Sequence, residues 1–209
     1  MKRLSLLISL FIISICAFAQ SVCVEGIYYK LDSDAKTASV TCTANAEYSD
    51  GVVYNNSYSG KVKIPKSIKH EGEKYRVTSI GLDAFQNCHD LISVNIPSSV
   101  TRIEEQAFFR CYGITSIDIP NSVTSIGGLA FYHCDNLSSI EIPNSVESIG
   151  FEAFRDCEKL TTVEIGKSVL YIGPKAFLDT PLKSIVVNKK NPYLASKDNI
   201  IFDNNRSIV

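Results

Sequence analysis

Cys88, Cys111, Cys134 and Cys157 stand 23 residues apart. A fixed period of this size constrains the chain more than its composition does, because it marks a repeat architecture built from one short unit of chain. Aligned on the cysteines, residues 96–118 (IPSSVTRIEEQAFFRCYGITSID), 119–141 (IPNSVTSIGGLAFYHCDNLSSIE) and 142–164 (IPNSVESIGFEAFRDCEKLTTVE) agree in nearly every apolar column. Residues 165–187 follow, with Thr180 in the cysteine column and one residue missing after it. Residues 64–95 form an earlier copy, with nine extra residues between Ile68 and Thr78. One such coil cannot bury its own apolar side, whereas stacked coils share a continuous core. The pattern therefore predicts a mainly β, right-handed solenoid of about five 23-residue coils over residues 64–187.

Each column has a structural reading. Ile96, Val100, Ile103, Ala107, Phe108, Cys111, Ile114 and Ile117 are the apolar positions of one coil. The L-x-S-I-x-I stretches, such as Leu137 to Ile142, alternate apolar and polar residues, as a half-buried parallel strand does. The V-x-S-I stretches, such as Val123 to Ile126, read as a second short strand. Ala-Phe-x-x-Cys, Ala130 to Cys134, has helical spacing and predicts a short helical turn. Pro97, Pro120 and Pro143 end a strand because proline cannot donate to a ladder. Gly81, Gly127, Gly150 and Gly173 mark a turn that Glu104 occupies in one coil, so a left-handed backbone is not obligatory there.

The ends depart from the period. Lys2 and Arg3, an apolar run from Leu4 to Cys16, and Ala17-Phe18-Ala19 form a secretory signal over residues 1–19, with cleavage expected after Ala19. The apolar run is shorter than the ~20 residues of a spanning helix, so no membrane span is expected. Ile15 before Cys16 and Val22 before Cys23 do not suit lipid attachment. Cleavage moves the net charge from −1 to −3 and leaves six of the seven cysteines. Residues 20–63 read as an N-terminal β cap. In it, Ile27 to Leu31 and Thr37 to Thr43 form a hairpin over the first coil, and residues 44–60 form an irregular loop. Residues 69–76 read as a small hairpin turning at Gly72, and residues 188–209 as a closing segment with a last strand at Ile200-Ile201-Phe202. Apolar residues continue to Val209, which fits either a minimal cap or a fragment of a longer array.

The frame Cys134-x-x-Leu137-x-x-Ile140-x-Ile142-Pro143, continued by Ser145-Val146 through Ala153-Phe154, resembles the BspA-like leucine-rich repeat family of exported bacterial surface proteins. The resemblance covers residues 64–187 closely. It extends loosely to Glu25-Gly26-Ile27-Tyr28-Tyr29, like an amino-terminal cap strand, and to Asn191-Pro192-Tyr193 through Phe202, like a closing segment. It implies a leucine-rich repeat fold, a secreted or cell-surface location, and a role in adhesion or binding to protein, such as a host matrix or cell-surface protein. It implies no catalytic residues and no cofactor.

Lys+Arg of 21 against Asp+Glu of 22 gives no nucleic-acid footprint, and three His and no Trp leave little material for catalysis or metal binding. The repeat geometry turns Cys88, Cys111, Cys134 and Cys157 the same way, into the core, as a structural thiol ladder rather than a set of bridges or metal ligands. Cys23 and Cys42 lie outside the repeat, and a bridge between them is open although the hairpin register does not obviously oppose them. His89 and His133 flank repeat cysteines in different columns and read as solvated turn residues. Phe109 and Tyr132 share a column on the turn side, near Phe151, and read as partly buried against neighbouring coils.

The outward residues of the L-x-S-I-x-I strands are the candidate binding surface. One column is Ser93, Ser116, Ser139, Thr162 and Ser184, and the next is Asn95, Asp118, Glu141, Glu164 and Val186. Like charges on facing strands repel, and a cation or basic partner relieves that repulsion; screening by water is the plainer alternative. The expected function is protein binding or adhesion through the sheet face and its rim loops. The alternative is a structural module of a larger surface assembly, with self-association possible. An enzyme is not expected, because no polar groups converge on a pocket.

Overall fold

The structure is a computed structural model describing residues 21–43, 46–49, 52–54, 56–203 and 207. The expected signal peptide lies outside the described residues.

The described residues begin with an antiparallel meander of β1 (Ser21–Val24), β2 (Ile27–Asp32) and β3 (Thr37–Thr41). The segment read as an irregular loop contains a further antiparallel pair, β4 (Glu47–Ser49) with β5 (Val52–Tyr54). Backbone pairing there overrides an Asn-, Ser- and Tyr-rich composition that favours turns. β6 (Gly60–Lys63) comes next, then a hairpin of β7 (Ser67–His70) and β8 (Glu73–Ile80), then β9 (Leu91–Asn95). The β7–β8 hairpin turns at Glu71-Gly72, whose φ values of 50° and 81° suit the two-residue turn that matches strand twist.

The coils supply β10 (Arg102–Ile103), β11 (Ser125–Ile126), β12 (Ser139–Ile142), β13 (Ser148–Ile149), β14 (Thr162–Ile165), β15 (Tyr171–Ile172) and β16 (Ser184–Val187). Two parallel ladders run through them. The first links β8, β10, β11, β13 and β15, so that Ile80, Ile103, Ile126, Ile149 and Ile172 face one another in turn. β3 joins this sheet by pairing parallel with β8. The second links β12, β14 and β16, and a separate parallel pair joins β6 to β9.

The second ladder is broken where the repeat predicts a strand. Residues 114–119 form none, although Ile114, Ile117 and Ile119 remain buried. Gly113 stands where other coils carry Asp90, Asn136 and Lys159, and a Cβ there would meet the His89 carbonyl oxygen at 2.6 Å. Glycine at a strand entrance weakens the strand, so burial persists without the ladder.

The Ala-Phe-x-x-Cys segments are not helical. Each is a run of turns with two left-handed residues, such as Gln106 (φ 55°) and Arg110 (φ 56°) or Leu129 (φ 55°) and His133 (φ 55°). The reason lies in where the amide protons go. The N–H groups of Phe85, Phe108, Phe131 and Phe154 donate to the carbonyls of Ala107, Ala130, Ala153 and Ala176 in the following coil, each at 2.8 Å. A helical turn would direct them back along their own coil. Left-handed backbone costs ~1–2 kcal/mol per non-glycine residue. Asp83, Asn87, Asp156 and Asp179 take that conformation with short polar side chains that tolerate it.

Inside these ladders the core is stacked in columns. The rings of Phe85, Phe108, Phe131, Phe154 and Phe177 form one pile, with successive centroids 5.1, 5.0, 5.1 and 5.4 Å apart. Tyr58 meets the first ring at 4.9 Å and a tilt of 56°. Its hydroxyl donates to the Thr41 carbonyl and accepts from the Tyr28 N–H, both at 2.8 Å. At the other end, β17 (Leu194–Lys197) and β18 (Ile200–Asp203) form a hairpin against the edge of β16. Its side chains serve that edge. Ser196 Oγ accepts from the Val187 N–H at 2.9 Å, and Asn199 accepts from the Ile185 N–H at 3.3 Å while donating to the Lys183 carbonyl at 2.7 Å.

The glycine column has a role that spacing alone does not reveal. Gly81, Gly127, Gly150 and Gly173 are not left-handed; they are sites where successive coils nearly touch. A Cβ on Gly150 would lie 2.3 Å from the Gly128 nitrogen and 2.5 Å from the Gly127 carbonyl carbon. Gly150→Ala is therefore expected to lower stability by about 1–3 kcal/mol, since the backbones must separate. A urea titration checks this, and an unchanged midpoint would show that the coils re-space freely. Glu104 occupies the same column, so the cost is one of local spacing and not of conformation.

Candidate binding surfaces

The outward positions of the second ladder form a continuous face at its C-terminal end. Ser139 lies opposite Thr162, and Glu141 opposite Glu164, on β12 and β14. Ser184 and Val186 of β16 continue the two columns, and Val186 is 50% exposed. Glu141 and Glu164 are both exposed and directly paired, the arrangement that destabilises a sheet unless something neutralises it. A cavity of 380 Å³ opens here, lined by Glu141, Glu164 and Val186 together with Lys189 and Lys190.

Ser116 and Asp118 are exposed but do not join this face as ladder partners, because residues 114–119 are not a strand. The expected stack of three carboxylates is therefore a registered pair, Glu141 and Glu164, with Asp118 on the irregular coil before it. Ser93 and Asn95 sit on β9, where they pair with Lys61 and Lys63 of β6. These two exposed lysines were missed by a reading that starts the first copy at Ile64. A signal was present, because Val62-Lys63-Ile64-Pro65 ends as Ile140-Glu141-Ile142-Pro143 does. The outward columns thus begin with lysines at β6 and carry paired carboxylates at β12 and β14 before Val186 of β16.

Cys88, Cys111, Cys134 and Cys157 are buried and free. The thiols of Cys111, Cys134 and Cys157 donate to the carbonyls of Phe85, Phe108 and Phe131 at 3.0, 3.3 and 3.2 Å. Burial pushes the Cys88 and Cys157 thiols up to about 12 and raises Cys111 and Cys134 well above the ordinary value, which keeps them as neutral donors. Cys23 is exposed on β1 and Cys42 is buried after β3. Cys23 pairs with Tyr28 and Tyr28 with Thr41, so β2 lies between them. Two strand spacings are ~9.6 Å, beyond the reach of a disulfide.

The turn side carries an aromatic and histidine cluster. Phe109 stacks on Tyr132 at 4.9 Å and His89 on Tyr112 at 4.7 Å. His133 Nδ1 lies 3.1 Å from Asp135 and its Nε2 3.8 Å from Asp156. The neighbouring Cys134 thiol is directed to the Phe108 carbonyl, so it does not pair with the imidazole as a nucleophile would. Phe109 and Tyr132 are half-buried, and Phe151 is 42% exposed. Among the described residues, no group of three or more His, Cys, Asp or Glu is placed to hold a metal, and no helix is long and apolar enough to cross a membrane.

Parallel ladders stacked around a pile of phenylalanines define a leucine-rich-repeat protein. The model for the BspA-type leucine-rich repeat region matches residues 78–209 in six copies, and the chain belongs to that family. Among solved structures, a leucine-rich repeat protein from Bacteroides ovatus is 30% identical with a TM-score of 0.65. The match takes in 80% of this chain and 43% of that one, so this chain spans less than half the length of that relative. The leucine-rich repeat protein of T. pallidum is 27% identical, with 78% of this chain and 70% of that one covered and a TM-score of 0.66. The pneumococcal vaccine antigen PcpA shares the fold at 23% identity and a TM-score of 0.64, with 88% of this chain and 54% of that one covered. No curated protein matches the chain in sequence.

Proposed function

We propose that this is an exported binding protein that holds a protein partner against the outward columns of its second ladder. The observation that carries the reading is the direct pairing of exposed Glu141 with exposed Glu164 beside exposed Val186. A basic, partly apolar segment of a partner would relieve the repulsion and cover the valine. Lys61 and Lys63 at the far end of the same columns favour an acidic stretch there, so the partner is read as an extended segment of mixed charge. Ser93, Asn95, Ser116, Asp118, Ser139 and Thr162 supply the polar contacts between. The signal over residues 1–19 supports a secreted or cell-surface location, and adhesion is the role that fits both. Right-handed 23-residue coils, closed by caps at residues 20–63 and 188–209, belong to the same reading, as does a structural rather than reactive role for the four repeat cysteines.

Screening the mature protein against host matrix and cell-surface proteins tests the reading. Glu141→Gln with Glu164→Gln is expected to weaken a partner found this way by roughly 5- to 50-fold, each charge contributing about 0.5–1 kcal/mol at an exposed rim and more where water is excluded. Binding that is unchanged in the double variant would move the partner off this face. Self-association without any partner would favour the structural-module alternative.

A further inference from the structure

The nine residues inserted in the first coil contribute to a second surface, one of basic rather than acidic character. They build the tip of the β7–β8 hairpin and leave a 310 Å³ cavity lined by Lys66, Ser67, Lys74, Arg76, Ser98 and Ser99. Three cations and three hydroxyls line it, and no carboxylate does. Lys66, Lys74 and Arg76 are exposed and make no ion pair among the described residues. Of the acidic groups of the hairpin, Glu73 pairs with Lys36 at 3.4 Å, while exposed Glu71 lies 3.9 Å from the His70 ring and does not line the cavity. Across the hairpin Lys69 stands opposite Lys74, a like-charge pair that costs stability unless an anion sits near it.

Ser99 supplies an independent observation. Its counterparts one and two coils on, Ser122 and Ser145, donate to the carbonyls of Val100 and Val123 in the preceding coil, at 2.6 and 2.7 Å. Ser99 is 4% exposed and its hydroxyl has no partner among the described residues. Beside the insertion, then, a hydrogen bond that the repeat makes elsewhere is missing, and the insertion brings Lys74 and Arg76 to the same place, next to Lys66. Insertions in a repeat array map to one face, which is often the binding face.

We propose that this cavity is an oxyanion site that takes a sulfate or phosphate monoester carried on a small polar group such as a sugar. Lys66 and Lys74 act as point charges, Arg76 as a planar fork that can hold two oxygens, and Ser67 and Ser98 as neutral donors. The cavity exceeds the room a bare ion needs and approaches the size of small-molecule sites, which favours an ester over the free ion.

Isothermal titration of the full mature chain at low salt, with glucose 6-sulfate, glucose 6-phosphate and glucose as probes, tests the site. At least one ester is expected to bind roughly ten-fold or more tighter than glucose, and to weaken as salt rises. The preferred ester tells sulfate from phosphate. Lys74→Gln with Arg76→Gln is expected to reduce ester binding by roughly ten-fold or more, and Lys189→Gln with Lys190→Gln to leave it unchanged. Esters that bind no better than glucose would overturn the proposal. So would esters that bind the Lys74→Gln/Arg76→Gln protein as they bind the parent. Both positions are exposed, and a circular dichroism melt of each variant establishes that it is folded.

Discussion

Asn56→Leu is expected to cost about 3–5 kcal/mol, more than most single changes outside the phenylalanine pile. Asn56 is buried, and its amide makes three hydrogen bonds with backbone groups. Its oxygen accepts from the Thr43 N–H at 3.1 Å, and its nitrogen donates to the carbonyls of Ala84 and Gln86, both at 3.1 Å. In the next coil the matching carbonyls, Ala107 and Phe109, accept from the N–H groups of Phe85 and Asn87 at 2.8 Å. The first repeat has no such coil before it, and the Asn56 amide supplies the missing donors. Leucine keeps the volume and removes every one of these bonds, leaving buried groups that cost about 1–3 kcal/mol each. Chemical denaturation measures the loss, and hydrogen exchange should show it concentrated in β3 and the first turn segment. A loss under 1 kcal/mol would mean that water replaces the amide.

Asp83→Asn is expected to stabilise the protein, and to do so only where the carboxyl would be ionised. Asp83 is 1% exposed; Gln86 donates to one of its oxygens at 2.8 Å, while the other is buried without a partner among the described residues. Burial first, and then the charge of Glu105, push its pKa up to about 7. The folded protein thus holds a proton that the unfolded chain releases above about pH 4. Stability then falls as pH rises between about 4 and 7, and the full penalty remains above that window. Asparagine abolishes the ionisation, keeps the acceptor for Gln86 and tolerates the positive φ of 56°. The expected gain is roughly 2–4 kcal/mol at pH 8, shrinking towards zero at pH 4. Urea midpoints across that range decide it, and an equal gain at both ends would assign the effect to something other than the proton.

The repeat itself was legible because apolar periodicity is a local signal. The columns that place Ile103, Ile126 and Ile149 face to face, and the burial of Cys88 through Cys157, follow from a spacing that needs no knowledge of the rest of the fold. The hairpin turning at Gly72 was legible for a similar reason, since its turn residues are adjacent in sequence. The helical turn was misread because Ala-Phe-x-x-Cys has the spacing of a helix whichever way its N–H groups point. Two left-handed residues in each segment accompany N–H groups that point to the next coil, and spacing does not record that. The candidate face was read half correctly. Glu141 and Glu164 are registered as expected, Asp118 is not, and Lys61 and Lys63 join the columns from outside the repeat as first delimited.

What the sequence alone determined was the period, the inward columns and the family resemblance, all of them written in residues close along the chain. The tertiary structure decided how the ends of the stack are satisfied. Asn56 reaches 28 residues ahead to Ala84, while Asn199 reaches back to Lys183. It also decided which exposed charges meet, including the unpaired cluster of Lys66, Lys74 and Arg76. The division is physical. Burying apolar surface needs only a pattern, whereas every backbone group at the edge of a ladder needs a particular partner, and that partner is found only once the chain has returned to it.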